Sequence, residues 1–270
     1  MGVLKKKNTE KHPISVSSCV KTLKDLKKYE APDPFDPSRF KILEKIIEKH
    51  DRKKAIILHL NDVVSIPGSL MGYENFLISI ATEPGLISGL IELSVDINLK
   101  LAKEALKRGI KIVYTGDDFA YNNGLLMAPT VFKKLFYPGF KKVIQGFKEL
   151  GLIVIKYTDG NIWPIIDLIV DSGIDCLDPI DPQAGMSLSE VKKTFGNRIA
   201  LKGNVSCSKT LTFGTEEEVI IETKNCLKAG AKNFGYILSS SNSIHSAVKP
   251  ENYIAMLKTL RKYGVYPIKL

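Results

Sequence analysis

The stretch Leu152-Ile153-Val154-Ile155-Lys156-Tyr157-Thr158-Asp159-Gly160-Asn161 decides the fold. An apolar run of strand length breaks into polar residues around a glycine, which is how a buried strand gives way to a loop. The same arrangement recurs along the chain. Asn61 follows the run Ala55–Leu60, Asp117 and Asp118 follow Ile110–Thr115, and Asp178 follows Ile174–Leu177. Asn204 follows Ile199–Lys202, and Asn242 follows Phe234–Leu238. In a parallel α/β protein the carboxyl ends of the strands open on one face, so residues distant in sequence are expected to gather in one cleft. The pattern reads as an enzyme or a ligand-binding barrel.

Helical segments separate these strands. Apolar residues at helical spacing predict helices over Tyr73–Thr82, Gly85–Arg108, Pro129–Leu150, Trp163–Ser172, Ser187–Phe195, Thr215–Ala229 and Pro250–Tyr263, the last stopped by Gly264. Ser38 is expected to cap an earlier helix that carries Phe40, Leu43, Ile46 and Ile47. Before it, Pro32, Pro34 and Pro37 forbid regular helix, and residues 1–37 read as an irregular segment of one domain spanning 1–270. About six strand and helix units argue for a parallel sheet covered by helices, of (β/α)8 TIM-barrel type and incomplete at the amino end.

Composition narrows the class. The chain has 270 residues, 44% of them apolar and 25% charged, enough for one large core. The net charge of +10 comes from lysines spread along helices; only Arg39, Arg52, Arg108, Arg198 and Arg261 are arginines. Without an arginine-rich arm or interleaved basic and aromatic residues, a solvated lysine face is expected and nucleic acid is not. Cys19, Cys176, Cys207 and Cys226 show no C-x-x-C spacing, which suits reduced thiols in a cytoplasm. No apolar run is long enough to cross a bilayer, and Met1–Asn8 is charged where a signal peptide needs an apolar core, so no membrane partner is expected.

From about Met71 onward the chain resembles the uroporphyrinogen decarboxylase superfamily, which also holds the methylcobamide:coenzyme M methyltransferases. The resemblance is carried by Gly72-Tyr73-Glu74-Asn75-Phe76-Leu77, by Gly116-Asp117-Asp118-Phe119-Ala120 with Met127-Ala128-Pro129, and by Tyr157 to Trp163. It continues through Asp178-Pro179-Ile180, Ala184-Gly185-Met186, Lys202-Gly203-Asn204-Val205, Ser240-Ser241-Asn242-Ser243 and Pro250-Glu251-Asn252-Tyr253. It implies a (β/α)8 barrel in which Ala55–Leu60 stands third, so that the family's first two units have no counterpart here. The family arginines that grip substrate carboxylates lie in those units. The resemblance thus implies either a truncated gene product or a chain whose open barrel edges are covered by a homodimer mate or another subunit.

Two chemistries run in the superfamily. The methyltransferases hold zinc with a His-x-Cys pair after the fifth strand and a Cys after the eighth; the matching positions here are Tyr157, Asp159 and the neighbourhood of Asn242. Hard oxygen donors in place of soft thiolates disfavour zinc, and no metal ligand is assigned. The expected function is methyltransferase-like one-carbon transfer on a small-molecule substrate, involving either a methylated substrate or a corrinoid carried by a partner protein, with no cofactor assigned to this chain itself. The alternatives are uroporphyrinogen decarboxylation and a non-catalytic binding subunit.

The candidate catalytic residues are Asp117, Asp118, Tyr157 and Asp159. A carboxyl buried near another can act as general base with a raised pKa, although either of the paired aspartates can equally cap its loop or meet a lysine. Candidate substrate contacts are Asn61, Asn161, Asp178, Asn204, Asn242 and His245. Asn161 has a competing role as a cap near Trp163, and Asp178 as a turn former before Pro179. His59 is expected to be a barrel-interior histidine, and the aromatics of Phe132–Phe140 to be core.

Overall fold

Strand and helix alternate along a computed structural model that describes residues 5–6, 14–15, 18–50 and 53–270. Part of the amino-terminal segment expected to be irregular lies outside the described residues, and the described part corrects that expectation: Lys5–Lys6 pairs antiparallel with Ile14–Ser15. Within the rest, Leu23–Lys28 forms a short helix, α1, closed by a reciprocal cap between Thr22 and Asp25. The chain forms two compact units, one of residues 1–117 and 126–154, the other of residues 118–125 and 155–270.

The first unit holds α2 (Lys41–His50), β1 (Ile57–Leu60), α3 (Ser65–Met71), α4 (Tyr73–Thr82), α5 (Pro84–Lys107), β2 (Ile112–Gly116) and α6 (Tyr137–Glu149). β1 and β2 run parallel, with Ile57 opposite Ile112. The aromatics at helical spacing are core: Phe132, Phe136, Phe140 and Phe147 are all fully buried, each contributing about 1.5–3 kcal/mol of burial. The Ser38 cap is corrected. Asp36 accepts the Ser38 N–H, and Pro37 opens a 3-10 turn that runs into α2. Proline suits that first position because its missing N–H would have had no partner there.

β3 (Ile153–Tyr157) begins in the first unit and ends in the second. The second unit continues with α7 (Ile166–Asp171), β4 (Cys176–Asp178), α8 (Leu188–Phe195), β5 (Ala200–Val205), α9 (Glu216–Gly230), β6 (Tyr236–Ser240) and α10 (Pro250–Tyr263). Ser187 and Thr215 cap α8 and α9 by accepting the N–H groups of Glu190 and Glu218. The strand order is β6-β5-β4-β3-β2-β1, and the described pairings in this sheet are all parallel.

β1 ends with its apolar run at Leu60, and the other five strands end one to three residues later than theirs. Asp178 is the last residue of β4, and Asn204 lies inside β5, because polar side chains there are satisfied within the protein. His59 is corrected as well: it is solvent-exposed on β1, its ring tilted against Tyr114 at 5.5 Å. All four cysteines are free thiols, and among the described residues no helix is long and apolar enough to cross a membrane.

Candidate functional site

The end of β3 builds the candidate site. Pleating alternates side chains, so Lys156 is fully buried with its ammonium 4.0 Å from the Phe119 ring centre, while Tyr157 is half-buried. Past the strand, Thr158 Oγ1 accepts the Phe119 N–H at 3.0 Å, which fixes the start of the loop. Gly160 has φ +87, and a Cβ there would lie 2.5 Å from the Tyr121 nitrogen and 2.6 Å from the Ala120 carbonyl carbon. The close approach that this glycine permits is therefore to the short hairpin of Ala120–Tyr121 and Gly124–Leu125.

Asp159 is the centre of the arrangement. Its Oδ2 accepts the Tyr157 hydroxyl proton at 2.6 Å and an Asn242 Nδ2 proton at 2.6 Å, while its own N–H donates to Asp118 Oδ1 at 3.0 Å. Asn242 comes from the loop after β6, where its Oδ1 accepts the Ser243 N–H at 2.6 Å and so sets the amide's direction. Oδ1 of Asp159 is buried and has no hydrogen-bond partner among the described residues. Burial pushes the Asp159 carboxyl up to about 6; the charges of Asp118 and Asp181 push the same way, against the hydrogen bonds from Tyr157 and Asn242. Burial also raises the Tyr157 phenol, and the bond to Asp159 adds to this, so Tyr157 stays protonated and donating. At neutral pH Asp159 is mostly a carboxylate, one pH unit from being half-protonated.

Other candidates in this unit have structural partners. Asp178, 1% exposed, receives Lys202 Nζ at 2.7 Å. Asn204 donates to the Ile180 carbonyl at 2.9 Å, and Asn161 Oδ1 accepts the Trp163 N–H at 3.2 Å, a side-chain turn just before the 3-10 helix whose cap position is Ile162. Among the described residues the His245 ring bonds only the Ala247 N–H, at 3.3 Å. Asp181 was missed by sequence reasoning. Its Oδ2 takes the Gly160 N–H at 3.4 Å and its Oδ1 the Gln183 N–H at 2.9 Å. The charged Lys202 next to buried Leu201 in β5 was the available signal for the Asp178–Lys202 ion pair.

Asn61 and Asp117 belong to the first unit. Asp117, 1% exposed, gathers the N–H groups of Asp62 at 3.1 Å, Val64 at 2.6 Å and Ser65 at 3.1 Å on its Oδ2. The Asn61 N–H donates to Asn98 Oδ1 at 3.3 Å. Asp62, also missed, accepts the Val63 N–H at 2.7 Å.

Comparison places the chain in a known class of proteins. The chain matches the uroporphyrinogen decarboxylase (URO-D) family over residues 1–263 and belongs to it. It is 22% identical over 265 residues to the methylcobamide:CoM methyltransferase MtbA of Methanosarcina mazei, covering 96% of this chain and 74% of that one. It is 21% identical over 179 residues to a uroporphyrinogen decarboxylase of Geobacter metallireducens, covering 66% of this chain and 50% of that one, so the chain spans about half the length of this relative. A solved methyltransferase from Methanosarcina mazei superposes with TM-score 0.82 at 20% identity, covering 98% of this chain and 77% of that one. This likeness establishes the α/β TIM-barrel-type fold. At coarse level the family holds methyltransferases and decarboxylases alike.

Zinc of the thiol-activating kind does not fit these residues. A protonated phenol, a carboxamide and one carboxylate bonded to each other are not the thiolate and imidazole set that tetrahedral zinc takes. Among the described residues no group of three histidine, cysteine or acidic side chains could hold a metal.

Proposed function

We propose that the chain catalyses methyltransferase-like one-carbon transfer in which Asp159 acts as general base. The observation that carries the reading is the Asp159 carboxyl, oriented through Oδ2 by Tyr157 and Asn242, with Oδ1 lacking a protein partner and a pKa near neutrality. The acceptor's X–H proton passes to Oδ1, and the freed lone pair attacks the methyl carbon. The bond from that carbon to the donor breaks, its electron pair leaving with the donor. A corrinoid on a partner protein would supply such a methyl group. Similarity to MtbA along almost the whole chain supports this branch. In this reading a carboxylate, rather than a metal-bound thiolate, opens the transfer.

Decarboxylation of uroporphyrinogen is the second reading, because the protonated Asp159 present below about pH 6 could deliver a proton to the carbon that CO2 leaves. A polycarboxylate macrocycle wants forked guanidinium donors. Two arginines are already committed elsewhere, Arg108 to Glu44 and Glu104, and Arg198 to Asp171. The two readings separate in one experiment. The purified chain is incubated with methylcobalamin and a panel of thiols and amines, and in parallel with uroporphyrinogen, from pH 5 to 8. Protein-dependent loss of the methyl–cobalt absorbance, rising through about pH 6 and absent in Asp159→Asn, is the expected result. Release of CO2 from uroporphyrinogen alone would establish the second reading, and neither reaction would leave a binding subunit. We also infer that a second copy or a partner covers β1 and β6, which stand at the two ends of the strand order. Light scattering on the eluting protein tests this; a stable monomer would refute it.

A further inference from the structure

A second site lies in the first unit, at the carboxyl end of β1. A cavity of about 180 Å3 is lined there by Arg39, His59 and Asn61 on its polar side, with Ile66, Ile97 and Leu101 among its apolar walls. It is smaller than the roughly 300–1,000 Å3 of drug-sized ligand clefts, so its occupant is small. Pro32 and Pro34 also line it and restrict the backbone of the segment that carries Asp33.

Each polar group is positioned by something other than a ligand. The Arg39 Nε donates to the Asp33 carbonyl at 2.7 Å, and this is its only side-chain hydrogen bond among the described residues. That anchor fixes the plane of the guanidinium and leaves both terminal NH2 groups for a ligand. The His59 ring rests against Tyr114, and any side chain at Gly116 would strike its Nε2, so the glycine makes room for the imidazole. The backbone of Asn61 is held by Asn98, itself buried and tied to the Ser94 carbonyl at 2.8 Å. Among the described residues neither the His59 ring nor the Asn61 carboxamide has a hydrogen-bond partner.

We propose that this cavity binds a short-chain monocarboxylate, its two oxygens on the NH2 groups of Arg39 and its hydrocarbon chain against Ile66, Ile97 and Leu101. A forked guanidinium matches a carboxylate in two parallel hydrogen bonds, whereas water satisfies the same groups singly. The apolar walls select a hydrocarbon tail over a bare inorganic anion. The inference does not rest on the reaction assigned to Asp159, since every group named here lies in the first unit.

The test is titration of the full chain with sodium butyrate, read by NMR at the histidine ring protons, with n-butylamine and inorganic phosphate as parallel probes. Butyrate is expected to shift the His59 resonance, identified by its loss in His59→Gln, saturably in about the millimolar range set by so few ligand atoms. Butylamine should give no saturable shift, and phosphate should bind roughly tenfold more weakly or worse. Arg39→Ala should weaken butyrate about tenfold or more, and Arg39→Lys, which keeps the charge but loses the fork, should weaken it too. Arg39 is surface-exposed, so both variants are expected to fold, and Asn61→Leu provides an independent check. No saturable shift with butyrate, phosphate binding as tightly as butyrate, or unchanged affinity in Arg39→Ala would each overturn the proposal.

Discussion

Asp117 and Asp159 stand at similar junctions, each just past the end of a parallel strand, and their surroundings treat them differently. Three backbone N–H groups converge on one oxygen of Asp117, so the carboxylate ties a loop to its strand. Asp159 receives only a phenol and an amide on one oxygen, and burial raises its pKa to about 6. Asp178, at the end of β4, is a third case, balanced by the ammonium of Lys202. What donates to a carboxylate, rather than its place at a strand tip, decides whether it holds structure or can move a proton.

The largest effect should come from Asp117→Ala, which strands two buried donors and a part-buried one and is expected to cost about 3–5 kcal/mol in urea unfolding. Asp117→Asn keeps an acceptor and should cost less than half of that. A loss below about 1 kcal/mol in the alanine variant would break the contrast. Removing the Lys202 ammonium by Lys202→Met should cost on the order of 3 kcal/mol, because the Asp178 charge stays buried. The double variant with Asp178→Asn should recover part of that loss, and a purely additive result would show that the pair is not coupled.

Asp159→Asn should do the reverse. The folded pKa of about 6 lies above the ordinary carboxylate value, so the fold favours the protonated form, and stability is lost as pH rises from about 4 through 6. The variant should therefore melt higher than the parent at pH 8, by a gain on the order of 1 kcal/mol after solvent screening of a half-buried group, and show little gain at pH 4. Its turnover should fall about a hundredfold or more. The smallest effects are shifts in the pH–rate midpoint. Tyr157→Phe and Asn242→Leu each remove a hydrogen bond that lowers the Asp159 pKa and should move the midpoint up, the tyrosine change more; Asp118→Asn should move it down. A midpoint unmoved in all three would detach the rate from Asp159.

Much of the fold was legible because the strands grow from mainly apolar runs and several helices carry their own start or stop, such as Thr215, Pro250 and Gly264. Strand ends were less legible, since Asp178 and Asn204 look like loop residues until Lys202 and the Ile180 carbonyl are seen to satisfy them. The candidate site was legible in part. Tyr157, Asp159 and Asn242 stand out from sequence and are brought together, 83 residues separating the last two. The role of Asp117 was not readable, because its donors lie 52 to 55 residues away and are backbone groups, which every residue type but proline supplies. The place of Asp181 was hidden likewise, its partner at Gly160 being a backbone N–H.

Position 160 carries a further consequence for how this protein can vary. Tolerance at most sites falls off gradually as the replacement grows larger, but here the obstacle is met by the first carbon of any side chain, against the backbone at Tyr121 and Ala120. A saturation scan should therefore record a step rather than a slope, alanine scoring as poorly as tryptophan. Diversity around the Asp159 loop would have to enter through its neighbours, with the glycine inherited unchanged.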